Sequence, residues 1–110
     1  MMQLIALEAN NRVRAERPVV VVVTRKKCAA AERAVRSFAT AAAALAIDAI
    51  AMDADDADNA ELLDDLGITC VPECLLFARG VVLERCAGAR HDDDARAILG
   101  AALRRPRDRR

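Results

Sequence analysis

The stretch Leu66-Gly67-Ile68-Thr69-Cys70-Val71-Pro72-Glu73-Cys74-Leu75-Leu76-Phe77-Ala78-Arg79-Gly80-Val81-Val82-Leu83-Glu84-Arg85-Cys86 decides the fold. Gly67 stops a short helix for which Asn59 reads as the N-cap. Thr69 to Glu73, with Pro72 inside it, is a turn, and Cys74 to Phe77 is a strand. Arg79-Gly80 then reverses the chain tightly into a second strand, Val81 to Cys86, so the pair forms an antiparallel hairpin. Beyond it, Asp92-Asp93-Asp94 puts three carboxylates into the first turn of a closing helix, where the helix dipole favours them. That helix carries Ala95, Ile98, Leu99, Ala102 and Leu103 on one face.

Towards the N-terminus, Asp53 to Asp58 is an acidic, irregular connection, and Ile47 to Met52 reads as a strand. Ala29 to Ala46 is helical, with Val35, Phe38, Ala42 and Leu45 at three- and four-residue spacing and an alanine run at 41–44. Val19 to Val23 is an uninterrupted β-branched run, the pattern of a strand covered on both faces. Met2 to Leu7 suits a further short strand, followed by a polar helical stretch from Glu8 to Glu16. The expected fold class is α/β, a central mixed sheet of four to five strands with helices on both faces. Residues 1–103 form a single domain in this reading, and Arg104 to Arg110 a basic, disordered tail.

Composition narrows the function. The 110 residues suit one domain. With no Trp, no Tyr and two Phe, the core must be aliphatic. Seventeen basic and seventeen acidic residues balance, which argues against nucleic acid as a partner. No apolar run reaches the length of a membrane span, and the first residues lack the pattern of a secretory signal, so a cytoplasmic setting is expected. In such a setting, Cys28, Cys70, Cys74 and Cys86 read as buried or reactive thiols rather than structural disulfides. Their spacing is poor for a metal site, and the acidic 53–58 segment lacks the Gly and terminal Glu of a calcium loop. His91 reads as a surface residue at a helix start.

A β-branched strand ending before a cysteine that opens a helix, then Gly67-Ile68 leading to Pro72, a hairpin, Ala87-Gly88-Ala89 and a final helix: this order resembles the thioredoxin family. The spacing from Cys28 through Pro72 and Gly80 to Gly88 fits that family without gaps, over nearly the whole chain. The resemblance implies a thioredoxin fold, with Cys28 in the place of the nucleophilic cysteine and Pro72 in that of the cis-proline. It also implies a groove in which an extended peptide pairs with the backbone of Val71.

The departures are as informative. The Trp-Cys-Gly-Pro-Cys of the family is here Lys27-Cys28-Ala29-Ala30-Ala31, so the resolving cysteine is replaced by Ala31. The family's buried acid falls at Val22, and the Thr after its cis-proline is Glu73. Cys28 nevertheless stands at a helix N-terminus after Arg25, Lys26 and Lys27, surroundings that favour negative charge on sulfur and attract an anionic partner such as glutathione. Animal-type thioredoxins resemble this chain in carrying a Cys-x-Pro at Cys70, so Cys70 is a candidate resolving thiol and a route to a dimer of an otherwise monomeric protein. Cys74 reads as a small buried apolar residue, and Cys86 as a strand residue without a chemical case.

Two functions follow as expectations. One is monothiol redox chemistry, with Cys28 as catalytic nucleophile forming mixed disulfides with a protein or glutathione and with no other cofactor. The alternative is an inactive binding module that holds a protein partner at Lys27, Val71 and Pro72. The monothiol glutaredoxin class fits less well, since its Cys-Gly-Phe-Ser motif is absent.

Overall fold

The computed structural model describes residues 2–3, 17–88 and 91–104. Its elements are β1 (Met2–Gln3), β2 (Val19–Thr24), α1 (Ala29–Ala44), β3 (Asp48–Asp53), a 3-10 turn (Ala57–Asn59), α2 (Ala60–Asp65), β4 (Glu73–Ala78), β5 (Val81–Ala87) and α3 (Asp92–Arg104). The expected helix at Glu8–Glu16, the expected strand beyond Gln3, Ala89 and the tail beyond Arg104 lie outside the described residues. Arg104 itself is the last residue of α3 rather than the first of a tail.

The five strands lie in the order β1-β3-β2-β4-β5. β3 runs parallel to both β1 and β2, whereas β4 is antiparallel to β2 and β5 to β4. The valine run is the middle of this sheet, and its alternation feeds two cores. Val19, Val21 and Val23 pack with Ile50, Met52, Leu63, Leu75 and Phe77 on one face. Val20 and Val22 pack on the other face with Phe38 of α1, Leu99 of α3, Cys74 and Leu76. A strand enclosed in this way needs apolar side chains at every position, and the sequence supplies them.

Three local readings change in the structure. α1 stops at Ala44, two residues early, because Ala46 adopts a left-handed conformation (φ 56°). The Ile47 N–H then donates to the Ala42 carbonyl (3.0 Å) and the Ala46 N–H to that of Ala43 (3.2 Å), the closing pair of a Schellman turn. Asn59 holds the N-cap position of α2, as expected, but its side chain makes no capping bond. It is helical and buried, and its amide donates to the Asp53 carbonyl (2.9 Å), while Asp56 caps the preceding turn by accepting from the Asp58 N–H. Finally, the β4–β5 hairpin is not regular. Phe77 pairs with Val82 but Leu76 with Glu84, so Leu83 is an extra residue in β5, a bulge that shifts the rest of the ladder by one.

Candidate functional site

The register of β2 on β4 sets Val23 opposite Glu73, so the chain leaves β2 towards Cys28 at the end of the sheet where Val71-Pro72 enters β4. The Ala54 N–H donates to the Thr24 carbonyl (2.8 Å) and ties the loop after β3 to the same end. Here Cys28 is the N-cap of α1. Its backbone is extended (φ −119°, ψ 107°), its carbonyl accepts the first helical hydrogen bond from Glu32, and its side chain makes no capping bond. It is half-buried. Lys27, just before it, takes a left-handed turn (φ 58°) and is exposed along with Lys26. Among the described residues, Arg25, unlike the two lysines, has an ion-pair partner on another loop. Its guanidinium pairs with Asp55 (3.1 Å) in the β3–α2 loop, and both side chains are about half exposed.

Cys70 is exposed in the loop that enters β4, with the Thr69 hydroxyl directed at its sulfur (3.9 Å). The Val71–Pro72 peptide is cis, Val71 is half-buried and Pro72 is buried. This loop is tied down from two sides. The Gly88 N–H donates to the Pro72 carbonyl (2.9 Å). Arg85 of β5 hydrogen-bonds the Glu73 carboxylate and donates to the Leu66 and Gly67 carbonyls (2.6 and 3.1 Å). The hydrogen bond to Glu73 raises the Arg85 pKa further above its ordinary value. Glu73 is therefore a buried anchor of the loop, a role its place in the sequence does not announce. The extra residue at Leu83 brings the two partners onto one face, whereas alternation along a regular hairpin would have set Arg85 against Cys74, so no sequence signal paired them.

Ala31 and Val22 are fully buried. The position implied for a second thiol and that implied for a buried acid are thus both apolar contents of the core. Val22 sits opposite Cys74, and Cys74 opposite Cys86. Burial first, then a hydrogen bond with the Cys86 thiol and the nearby charges, push the Cys74 thiol well above its ordinary range. The acidic loop folds on itself: Asp53 accepts from the Asp55 N–H (2.9 Å) and Asp56 from that of Asp58 (3.0 Å). His91 is exposed, and its carbonyl accepts from Ala95 at the start of α3.

A central β2 flanked by parallel β3 and antiparallel β4, a helix opened by Cys28, and a cis-proline loop entering β4 at the same end decide the architecture. The chain has the thioredoxin fold. Among solved structures, it superposes on thioredoxin from Trypanosoma brucei brucei with a TM-score of 0.80 over 96% of this chain and 92% of that one, at 18% identity. It superposes on Chlamydomonas reinhardtii thioredoxin f2 with a TM-score of 0.78 over 97% and 99%, at 16% identity. Plasmodium falciparum thioredoxin gives 0.79 over 92% and 98%, again at 16% identity. No protein-family model and no curated protein sequence matches the chain. At such identities the likeness is one of fold. Among the described residues, no helix of this thioredoxin fold is long and apolar enough to cross a membrane.

Proposed function

We propose that this protein takes part in thiol–disulfide exchange as a monothiol, with Cys28 as its nucleophile. The observation that carries this reading is the position of Cys28: a half-exposed sulfur, not spent on capping, at the start of a sixteen-residue helix. The N–H groups of the first helical turn have no carbonyl partners within the helix and stabilise negative charge placed before them. In the exchange, the Cys28 sulfur attacks one sulfur of a disulfide R–S–S–R′. The Cys28–S–S–R bond forms as S–S′ breaks, and R′S⁻ leaves with the electron pair and takes up the proton released by the Cys28 thiol. With alanine at 31, resolution falls to an external thiol such as glutathione, or to Cys70 in the neighbouring loop. Protein disulfides and glutathione disulfide are the substrate class, and no other cofactor is required. A cytoplasmic, reducing setting suits this chemistry.

The burial of Ala31 and Val22 favours a second reading, in which exchange has been given up and the loop around Val71-Pro72, with Lys27 beside it, holds a protein partner. One experiment separates the two. The reduced full-length chain is treated with limiting iodoacetamide and digested with trypsin, which isolates Cys28 in peptide 28–33 and Cys86 in peptide 86–90. Alkylation of Cys28 many times faster than Cys86, together with loss of mixed-disulfide capture in Cys28→Ser, supports the monothiol. Equal rates, or partner binding unchanged in Cys28→Ser, leave the binding module.

A further inference from the structure

Cys74 and Cys86 face each other directly across the β4–β5 ladder. They share the sheet face covered by α1 and α3, with Cys74 inside that core and Cys86 packed against it. Directly opposed residues of an antiparallel pair have Cα atoms about 4.5 or 5.5 Å apart. Both spacings fall in the range of roughly 4.4–6.8 Å that a disulfide spans. The bulge at Leu83 creates this opposition, since a regular continuation of the hairpin beyond Phe77 and Val82 would set Cys74 against Arg85 and turn Cys86 to the other face.

We propose that Cys74 and Cys86 are a second thiol–disulfide couple of this protein, which small neutral disulfides oxidise to a cross-strand bond joining β4 to β5. The couple is independent of Cys28. The two sulfurs differ in access: Cys74 is 3% exposed, whereas Cys86 is partly open on β5, an edge strand of the sheet. Cys86 is therefore the entry point. Its sulfur attacks R–S–S–R, the Cys86–S–S–R bond forms, and the first RS⁻ departs with the Cys86 proton. The Cys74 sulfur then attacks the Cys86 sulfur, the Cys74–Cys86 bond forms, and the second RS⁻ departs with the Cys74 proton. In total, two protein thiols are oxidised and one small disulfide is reduced to two thiols. The direct opposition of the two residues across the ladder sets up the second step, while burial holds Cys74 protonated and the neighbouring Glu73 and Glu84 charges oppose its ionisation. The second step is accordingly the slow one.

The test uses the full-length Cys28→Ser/Cys70→Ser variant, so that the proposed Cys28 chemistry plays no part in the result. The reduced protein is titrated with bis(2-hydroxyethyl) disulfide, quenched in acid, unfolded, and treated with a maleimide. The expected result is joint loss of both remaining thiols without retained hydroxyethylthiol, and tryptic peptides 37–79 and 86–90 linked by a disulfide. Adding Cys74→Ala should stop the reaction at a hydroxyethylthiol adduct on Cys86. Persistence of that adduct with Cys74 intact, dimers linked between chains, or two thiols that stay reactive at every ratio would each overturn the proposal.

Discussion

Arg85→Met removes the guanidinium that ties the loop before β4 to the sheet while keeping most of the aliphatic stem. Three acceptors lose their donor: the Glu73 carboxylate and the carbonyls of Leu66 and Gly67. The two carbonyl contacts are exposed, so water replaces them at little cost. Glu73 is different, because its side chain is only 9% exposed while that of Arg85 is 38% exposed. Stranding a fully buried charge costs about 3–5 kcal/mol. The open side of this pair admits water and screens it, which brings the expected loss down to about 2 kcal/mol. For a domain of this size that lowers Tm by about 8 °C, at roughly 4 °C per kcal/mol. Without Trp or Tyr, unfolding is best followed by far-ultraviolet circular dichroism in urea. Hydrogen exchange should show faster opening at residues 66–73 than in the strands. Glu73→Met/Arg85→Met, which removes both charges, should recover at least half of the loss, since an apolar pair leaves nothing unsolvated. A single variant within about 0.5 kcal/mol of the parent, the usual range for a surface substitution, would refute the clamp, as would simple additivity in the double variant.

Cys28→Ser should stabilise the fold by about 0.5–1 kcal/mol, because serine accepts a capping hydrogen bond that the cysteine side chain does not make. Urea midpoints of the two proteins decide this, and an unchanged or lower midpoint counts against the cap geometry. Ala46→Gly should stabilise by about 0.5–1 kcal/mol, since relief of the left-handed alanine outweighs the added freedom of the unfolded chain. The same unfolding assay reads it, and a loss of stability would show that Ala46 is not strained. The Cys74 thiol is held well above its ordinary range by burial, so the folded state keeps a proton that the unfolded chain releases above about pH 8.5. That contribution is complete below this pH and is lost as pH rises towards the folded value. Stability of the parent should therefore fall more steeply with alkaline pH than that of Cys74→Ala, and parallel curves would contradict the burial of this thiol.

Much of the architecture was legible because it is written locally. Five consecutive β-branched residues at Val19 to Val23 have one comfortable place in an α/β domain, the middle of the sheet, and both faces of β2 are buried there. Alanines at 41–44, the spacing of Phe38 and Ala42, and the three aspartates opening α3 each mark a helix through its own neighbours in the chain. The hairpin reversal at Arg79-Gly80 was equally plain, with both residues taking the positive φ that such a turn requires. Cys28 was legible as the residue that opens α1 because the end of one local pattern and the start of the next bracket it. Asn59 was legible as the residue that opens α2 but not in its role, because its side chain is taken up by a contact with the Asp53 carbonyl and makes no capping bond, while Asp56 caps the 3-10 turn before it.

The sequence by itself thus determined the order of strands and helices, the two-sided burial of β2 and the position of Cys28, since each depends on residues a few places apart. Tertiary structure alone decided who faces whom at longer range. It sent Arg25 to Asp55 rather than leaving it with Lys26 and Lys27, and it joined Arg85 to Glu73 and the loop carbonyls. It also set Cys74 against Cys86 through a single extra residue at Leu83. The physical reason is the two-residue period of a strand: one residue of slippage exchanges the faces of everything beyond it, so which side chains of β5 meet β4 depends on the pairing of the two strands and not on neighbours in the chain.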